Sequence, residues 1–141
     1  MAKNFEKQLY RIIDANFNRA REGLRVCEDV CRFFYNRRKK TEQYKRIRHR
    51  LTAVLNRWDI QRVIAARNTA RDVGRATHAS ELMRRGLRDV FYANSQRVKE
   101  SLRVLEELAK CIDVKSARDL KSLRYQIYVL EQETLKGFGK S

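Results

Sequence analysis

Two stretches of this chain read as copies of each other. DANFNRAREGLRVCED occupies residues 14–29, and YANSQRVKESLRVLEE occupies residues 92–107, a shift of 78 positions. Across residues 15–28 and 93–106, eight of fourteen positions are identical, and the matches extend upstream as Leu9/Leu87, Ile12/Val90 and Ile13/Phe91. The apolar members recur at helical spacing, so each copy is a helix with one face turned to a core. The segments that follow also echo, shifted by two residues: Ile47-Arg48 against Leu123-Arg124, and Leu51 against Ile127. A helical hairpin written twice leaves an apolar face on each copy, and docking the copies buries both. The expectation is an all-α fold, a four-helix bundle built from two repeated hairpins with approximate internal two-fold symmetry. The 141 residues suit one domain, with repeat halves at about 5–58 and 80–136 and a connecting loop at 66–80.

The absence of Pro and the presence of only five Gly agree with long helices. The first helix is expected from Asn4 to about Arg37, and the second from Thr41 and Glu42. Residues 60–66 form a short further helical turn. Ser80 and Glu81 cap the third long helix, which ends near Ala109, and the last runs from Ser116 to about Lys136. The terminal GFGKS is expected to fray. Cys27 and Cys31, one helical turn apart among Leu24, Val30 and Phe34, read as small core residues. The odd count of three cysteines points to a reducing cytoplasm. The N-terminal residues lack a signal-peptide pattern, and no apolar run reaches the ~18–20 residues of a membrane span.

What a packed core does not require is recurrence of polar positions. At roughly 100° per residue, Asn16, Arg19, Gly23 and Val26 form one stripe, repeated as Asn94, Arg97, Ser101 and Val104. Glu22 and Glu100 lie beside them. Gly23 and Ser101 are small enough for a close backbone approach or for a ligand. Arg25/Arg103 and Glu28/Glu106 are expected to point outward as surface ion pairs. Two-fold symmetry should make the two stripes face each other or frame a shared groove. The plain alternative is that these side chains satisfy one another at the border of the core.

Lys and Arg outnumber Asp and Glu by 33 to 17, a net charge of +16 that favours anionic partners. The loop RNTARDVGR sets Arg67, Arg71 and Arg75 around Asp72. Arg forks fit phosphate oxygens, and a carboxylate among them can hold Mg²⁺ bridged to phosphates. An ordinary solvated connector with an Asp-started turn is the alternative, and it suits Arg71 and Arg75 better than Asp72. No phosphate-binding glycine loop, dinucleotide fingerprint or hydrolase triad is present. Nor is there a zinc finger, RNP or basic-zipper pattern. Nucleic acid is disfavoured by an expected lack of exposed aromatics between cations. Membrane binding is disfavoured because no segment pairs a basic face with exposed Trp or Phe.

LYRIIDANFNRAREGLRVCEDVCRF, ARNTARDVGR and LRDVFYANSQRVKESLRVLEE together resemble a bacterial family: the strictly monofunctional hydroxymethylpyrimidine phosphate kinases, helical domains often fused ahead of thiamine phosphate synthase. The resemblance covers residues 9–130. It implies a cytoplasmic enzyme using ATP and Mg²⁺ to phosphorylate 4-amino-5-hydroxymethyl-2-methylpyrimidine phosphate, with thiamine phosphate synthase as a partner and a homodimer as one possible assembly. It also implies an acidic residue at position 68, where this chain has Asn68. Chemistry and pattern nominate Arg19, Arg67 and Arg97 as phosphate clamps, and Asn16 and Asn94 as hydrogen-bonding groups. Asp72, with Glu22 or Glu100, is nominated for the metal or for water, Asp72 being the Mg²⁺ ligand. A non-catalytic nucleotide-binding module attached to the synthase, and a basic helical nucleic-acid binder, are the competing functions.

Overall fold

A computed structural model describes residues 2–78 and 83–138. Helix α1 spans Ala2–Asp29 and continues into a π-helical turn, Val30–Phe34. Helix α2 spans Arg38–Leu55, and a short α3 spans Ile60–Ala65. A 3-10 turn at Thr69–Arg71 precedes α4, Leu87–Ala109, and α5, Val114–Phe138. No strand occurs among the described residues, as the periodicity requires.

The four long helices surround one core, α1 and α5 each packing on both α2 and α4. Within α1, Leu9, Ile13, Phe17, Ala20, Leu24 and Cys27 face that core, and Cys31 of the π-turn continues the stripe. Cys27 Sγ lies 3.7 Å from the Phe91 carbonyl, while Gly23 sits against Asn94 and Val98. The contact rises along α4 as it falls along α1, so these helices are antiparallel. Cys27 and Cys31 are sealed in, as expected, and burial pushes both thiols up, Cys31 to about 11.

Each hairpin is clamped by the same buried ion pair. Glu28, 2% exposed, accepts from Arg48 Nε at 3.0 Å across α1 and α2. Glu106, 4% exposed, accepts from Arg124 Nε at 3.1 Å across α4 and α5. Arg25 and Arg103 reach the same carboxylates from one turn away. The expectation that Glu28 and Glu106 point outward is therefore corrected: only the arginine ends of those i,i+3 pairs are exposed. Burial makes these interactions two-sided, since losing one partner strands a charge away from water. The two-residue shift in the echo is what places Arg48 and Arg124 opposite their glutamates.

Helix ends depart from expectation for local reasons. Helix α1 converts at Val30 to i→i+5 bonding, with the Tyr35 amide on the Val30 carbonyl at 3.1 Å, and stops before Arg37. Asn36 then takes a left-handed conformation, φ 52°, which Asn tolerates better than most residues. Helix α2 begins three residues earlier than Thr41, because Arg38, Lys39 and Lys40 are good helix formers. Helix α5 begins at Val114, with Asp113 Oδ1 accepting from the Ser116 amide at 2.6 Å; that bond holds the Asp113 carboxyl below its ordinary range. The Ser80–Glu81 cap lies outside the described residues; regular helix starts at Leu87. The frayed-tail expectation is corrected at Gly137 and Phe138. Phe138 stacks on Tyr35 at 3.9 Å and meets Phe91 edge-on at 5.0 Å, and Arg37 donates to the Gly137 carbonyl at 2.9 Å.

A β-carbon at position 23 would lie 2.7 Å from Val98 Cγ2 and 2.9 Å from the Asn94 carbonyl oxygen. Val98 is fully buried and the carbonyl belongs to a rigid helix. Gly23→Ala should therefore lower stability by about 1–2 kcal/mol in chemical denaturation, reversing the gain of about 1 kcal/mol that Ala ordinarily brings to a helix. In native protein, a thiol reagent should modify the exposed Cys111 quickly and reach Cys27 and Cys31 only on unfolding, read as one fast thiol and two released by denaturant.

Candidate functional site

Residues 59–72, which follow α2, fold back over α1. Asp59 caps α3 through the Arg62 amide at 3.2 Å, and Arg62 reaches Glu6 on α1 at 3.0 Å. Asn68 caps the 3-10 turn through the Arg71 amide at 3.2 Å, and Asp72 Oδ1 accepts from the Gly74 amide at 2.9 Å. One short polar side chain per turn is the usual way for irregular backbone to satisfy its N–H groups. The Asn68 carbonyl supports the turn in the way an aspartate would.

Arg67 fixes this segment to α1. Its Nε and Nη2 donate to the two oxygens of Asp14, both at 2.7 Å. Asp14 is buried at 5% exposure and also accepts from Asn18 at 3.1 Å. The hydrogen bonds that Arg67 donates to Asp14 raise its already high basicity, and its side chain stays 45% exposed. A planar guanidinium is thus held rigid with further N–H groups turned to solvent.

Between α1 and this segment opens a cleft of about 600 Å³. Of the residues nominated by sequence, Asn16, Arg19, Glu22, Arg67 and Asp72 line it, together with Asn68 and Asp14. Arg19 and Glu22 are exposed and make no ion pair among the described residues. Asn16 is nearly buried and donates to the Ile12 carbonyl at 2.9 Å, which fixes the amide plane. Asp72 uses Oδ1 on its own turn, leaving Oδ2 for another partner. Phosphate oxygens would meet the guanidinium groups of Arg11, Arg19 and Arg67 and the side-chain amide of Asn16 here, with the carboxylates of Glu22 and Asp72 at hand and that of Asp14 already held by Arg67. No three His, Cys, Asp or Glu side chains gather to hold a metal among the described residues.

The second stripe does not reach this cleft. Asn94 repeats the local bond of Asn16, donating to the Val90 carbonyl at 2.8 Å, but Arg97 and Glu100 stand exposed on α4 and none of the three lines the cavity. The expectation of one shared groove is corrected. Antiparallel helices run the two stripes in opposite directions, and only that of α1 is overlaid by residues 59–72. Asp14 was not nominated, because its counterpart in the repeat is Tyr92 and the search followed recurring positions. A second correction concerns aromatics. Tyr125 and Tyr128 are exposed, with Arg124, Lys121 and Lys99 near their rings, and Phe33 and Phe34 are exposed beside Arg32. No helix of the described residues is long and apolar enough to cross a membrane.

Replacing Asp14 by Asn keeps the shape and removes the charge that Arg67 grips. Asp14→Asn should cost about 1–3 kcal/mol of stability and loosen the overlying segment. Limited trypsin digestion should then cut at Arg67 and Arg71 sooner than in the parent protein, while sites within α4 and α5 stay protected.

Residues 11–133 match the model of the ThiD2 family. The chain is 45% identical over 126 residues to the thiamine-phosphate synthase of Synechocystis sp., covering 89% of this chain and 36% of that protein. It is 41% identical over 131 residues to that of Nostoc punctiforme, covering 92% and 36%, and 41% identical over 128 residues to that of Rhodopirellula baltica, covering 90% and 34%. The chain thus spans about a third of the length of these relatives. No solved structure matches it. With nearly the whole helical fold inside the matched region, the chain belongs to the ThiD2 family.

Proposed function

We propose that this chain is a kinase of thiamine biosynthesis that moves the γ-phosphoryl group of ATP onto the phosphate of hydroxymethylpyrimidine phosphate. Family membership and relatives named thiamine-phosphate synthase support the pathway. The observation that carries the reaction class is the single cleft lined by Arg19, Arg67, Asn16, Glu22 and Asp72. A phosphate oxygen of the acceptor forms the new bond to the γ-phosphorus as the bond to the β–γ bridging oxygen breaks, and ADP leaves with the electron pair. Both reactants are anions, and the nucleophile is already deprotonated. The protein must therefore neutralise charge and hold the reacting atoms in line more than it must abstract a proton.

Arg19, with no carboxylate partner among the described residues, is assigned to the transferring phosphoryl group. Arg67, immobilised by Asp14, is assigned to the acceptor phosphate, where a preset fork loses little entropy on binding. Asn16 orients the phosphate or the aminopyrimidine. Glu22 and Asp72 would hold Mg²⁺, an ion commonly bound by one or two carboxylates with phosphates completing its shell; when bound it supplies further charge neutralisation. The unphosphorylated alcohol would leave these arginines unpaired, which makes it a poor acceptor.

A coupled assay of ADP release with ATP, Mg²⁺ and the pyrimidine monophosphate tests the proposal. Arg19→Ala should reduce kcat/KM by about 10²-fold or more, as loss of a charged transition-state contact does. Arg97→Ala, on the uncovered copy of the stripe, should stay within about twofold. Full activity in Arg19→Ala would remove the cleft from the reaction. Nucleotide binding with no ADP formation would instead favour a binding module that serves a synthase.

A further inference from the structure

We propose that the corner where α1 turns into α2 is a second anion site, separate from the α1–α3 cleft, which takes the polyphosphate chain of a small molecule. A cavity of about 650 Å³ opens there, lined by Arg25, Arg32, Arg38, Lys45 and Arg48 against Glu28 and Glu42. Glu28 is already committed, to Arg48 at 3.0 Å and to Arg25 at 3.4 Å. Arg32, Arg38 and Lys45 have no carboxylate partner among the described residues; Arg32 lies 4.6 Å over the Phe33 ring. Some cations elsewhere are paired, as Lys40 is with Glu133, Arg57 with Asp119 and Lys99 with Glu131, and others stand singly on helix faces; what sets this corner apart is that three without carboxylate partners line one cavity. Three unpaired cations around one concavity raise the local potential far more than the same charges dispersed.

The repeat supplies a control within the same molecule. Lys110, in the place of Arg32, is bonded to Glu107 at 2.9 Å. The α4–α5 corner is closed by Asp113, which caps α5 and accepts from Trp58 at 3.2 Å. The α1–α2 corner departs from that pattern throughout. It has the π-helical turn, the left-handed Asn36, no side-chain cap on α2, and cations where the second copy has an ion pair. Such π-helical turns often mark functional sites. Cations spaced along a cleft match several linked phosphates better than one, since each guanidinium can engage a different phosphoryl group.

The proposal does not depend on the kinase reading, and the test keeps them apart. Isothermal titration of the full chain would use inorganic tripolyphosphate, orthophosphate and ATP. Tripolyphosphate should bind well above orthophosphate. The triple variant Arg32→Ala/Arg38→Ala/Lys45→Ala, with all three side chains exposed and the fold checked by thermal melting, should weaken tripolyphosphate at least about tenfold. In the Arg19→Ala background, which impairs the separate α1–α3 cleft, the triple change should still weaken tripolyphosphate by about tenfold. In the Arg19→Ala background ATP should still bind, and should lose that binding when the triple change is added. A charge-matched control, Lys115→Ala/Arg118→Ala/Lys121→Ala on α5, should have little effect. Unchanged tripolyphosphate binding in the triple variant, in either background, or an equal loss in the α5 control would overturn the site.

Discussion

The seam between α1 and α4 is set by an atom that is missing. At Gly23 no β-carbon holds the helices apart, so the backbone of α1 comes within contact of Val98 and the Asn94 carbonyl. Everything else follows from that approach. It lets the two hairpins dock closely and brings the apolar stripes of α1 and α4 into one interface. It also decides which polar residues meet. Because the stripes run in opposite directions, a chain overlying α1 reaches Asn16, Arg19 and Glu22 but not their counterparts. The cleft is therefore a consequence of orientation as much as of composition.

Within each hairpin the buried glutamate and arginine act as a register pin. An ion pair so enclosed is weak evidence for stability, since desolvation offsets much of the attraction. Its value lies in being intolerant of slippage: a shift of α2 by one residue would leave Glu28 without Arg48. That both copies keep the pair while many of their surface residues differ makes registration of the two helices the physical role that fits. The core then supplies the favourable free energy, and the pair selects which of several similar packings is adopted.

Much of this was legible in the residues. The helical period, the duplication, the burial of Cys27 and Cys31 and the small residue at position 23 could all be read before any coordinates. The side of Glu28 and Glu106 could not be read from one helix, because the deciding partner lies on another. The sign was present in the shifted echo, where Arg48 and Arg124 recur together with the glutamates. Helix ends were misplaced where tertiary contacts override local signals, as when Tyr35 and Phe91 hold Phe138 against the core. Asp14 was overlooked because recurrence served as the guide and position 92 is a tyrosine.

That oversight carries a general point about duplicated folds. Residues kept in both copies tend to answer for what both copies must do, which is to pack, register and dock. Residues that differ are freed for what only one copy does, and they can also give a kept residue a setting its twin lacks, as Asp14 and Arg67 do for Asn16, Arg19 and Glu22. Here Asp14 replaces the tyrosine of the echo and anchors Arg67. The α1–α2 corner has unpaired cations where its counterpart has an ion pair. The covered stripe has a binding-sized cleft where the other faces solvent. The asymmetries cluster on the first hairpin and the segment that follows it, which leaves the second hairpin as the scaffold against which the first is positioned.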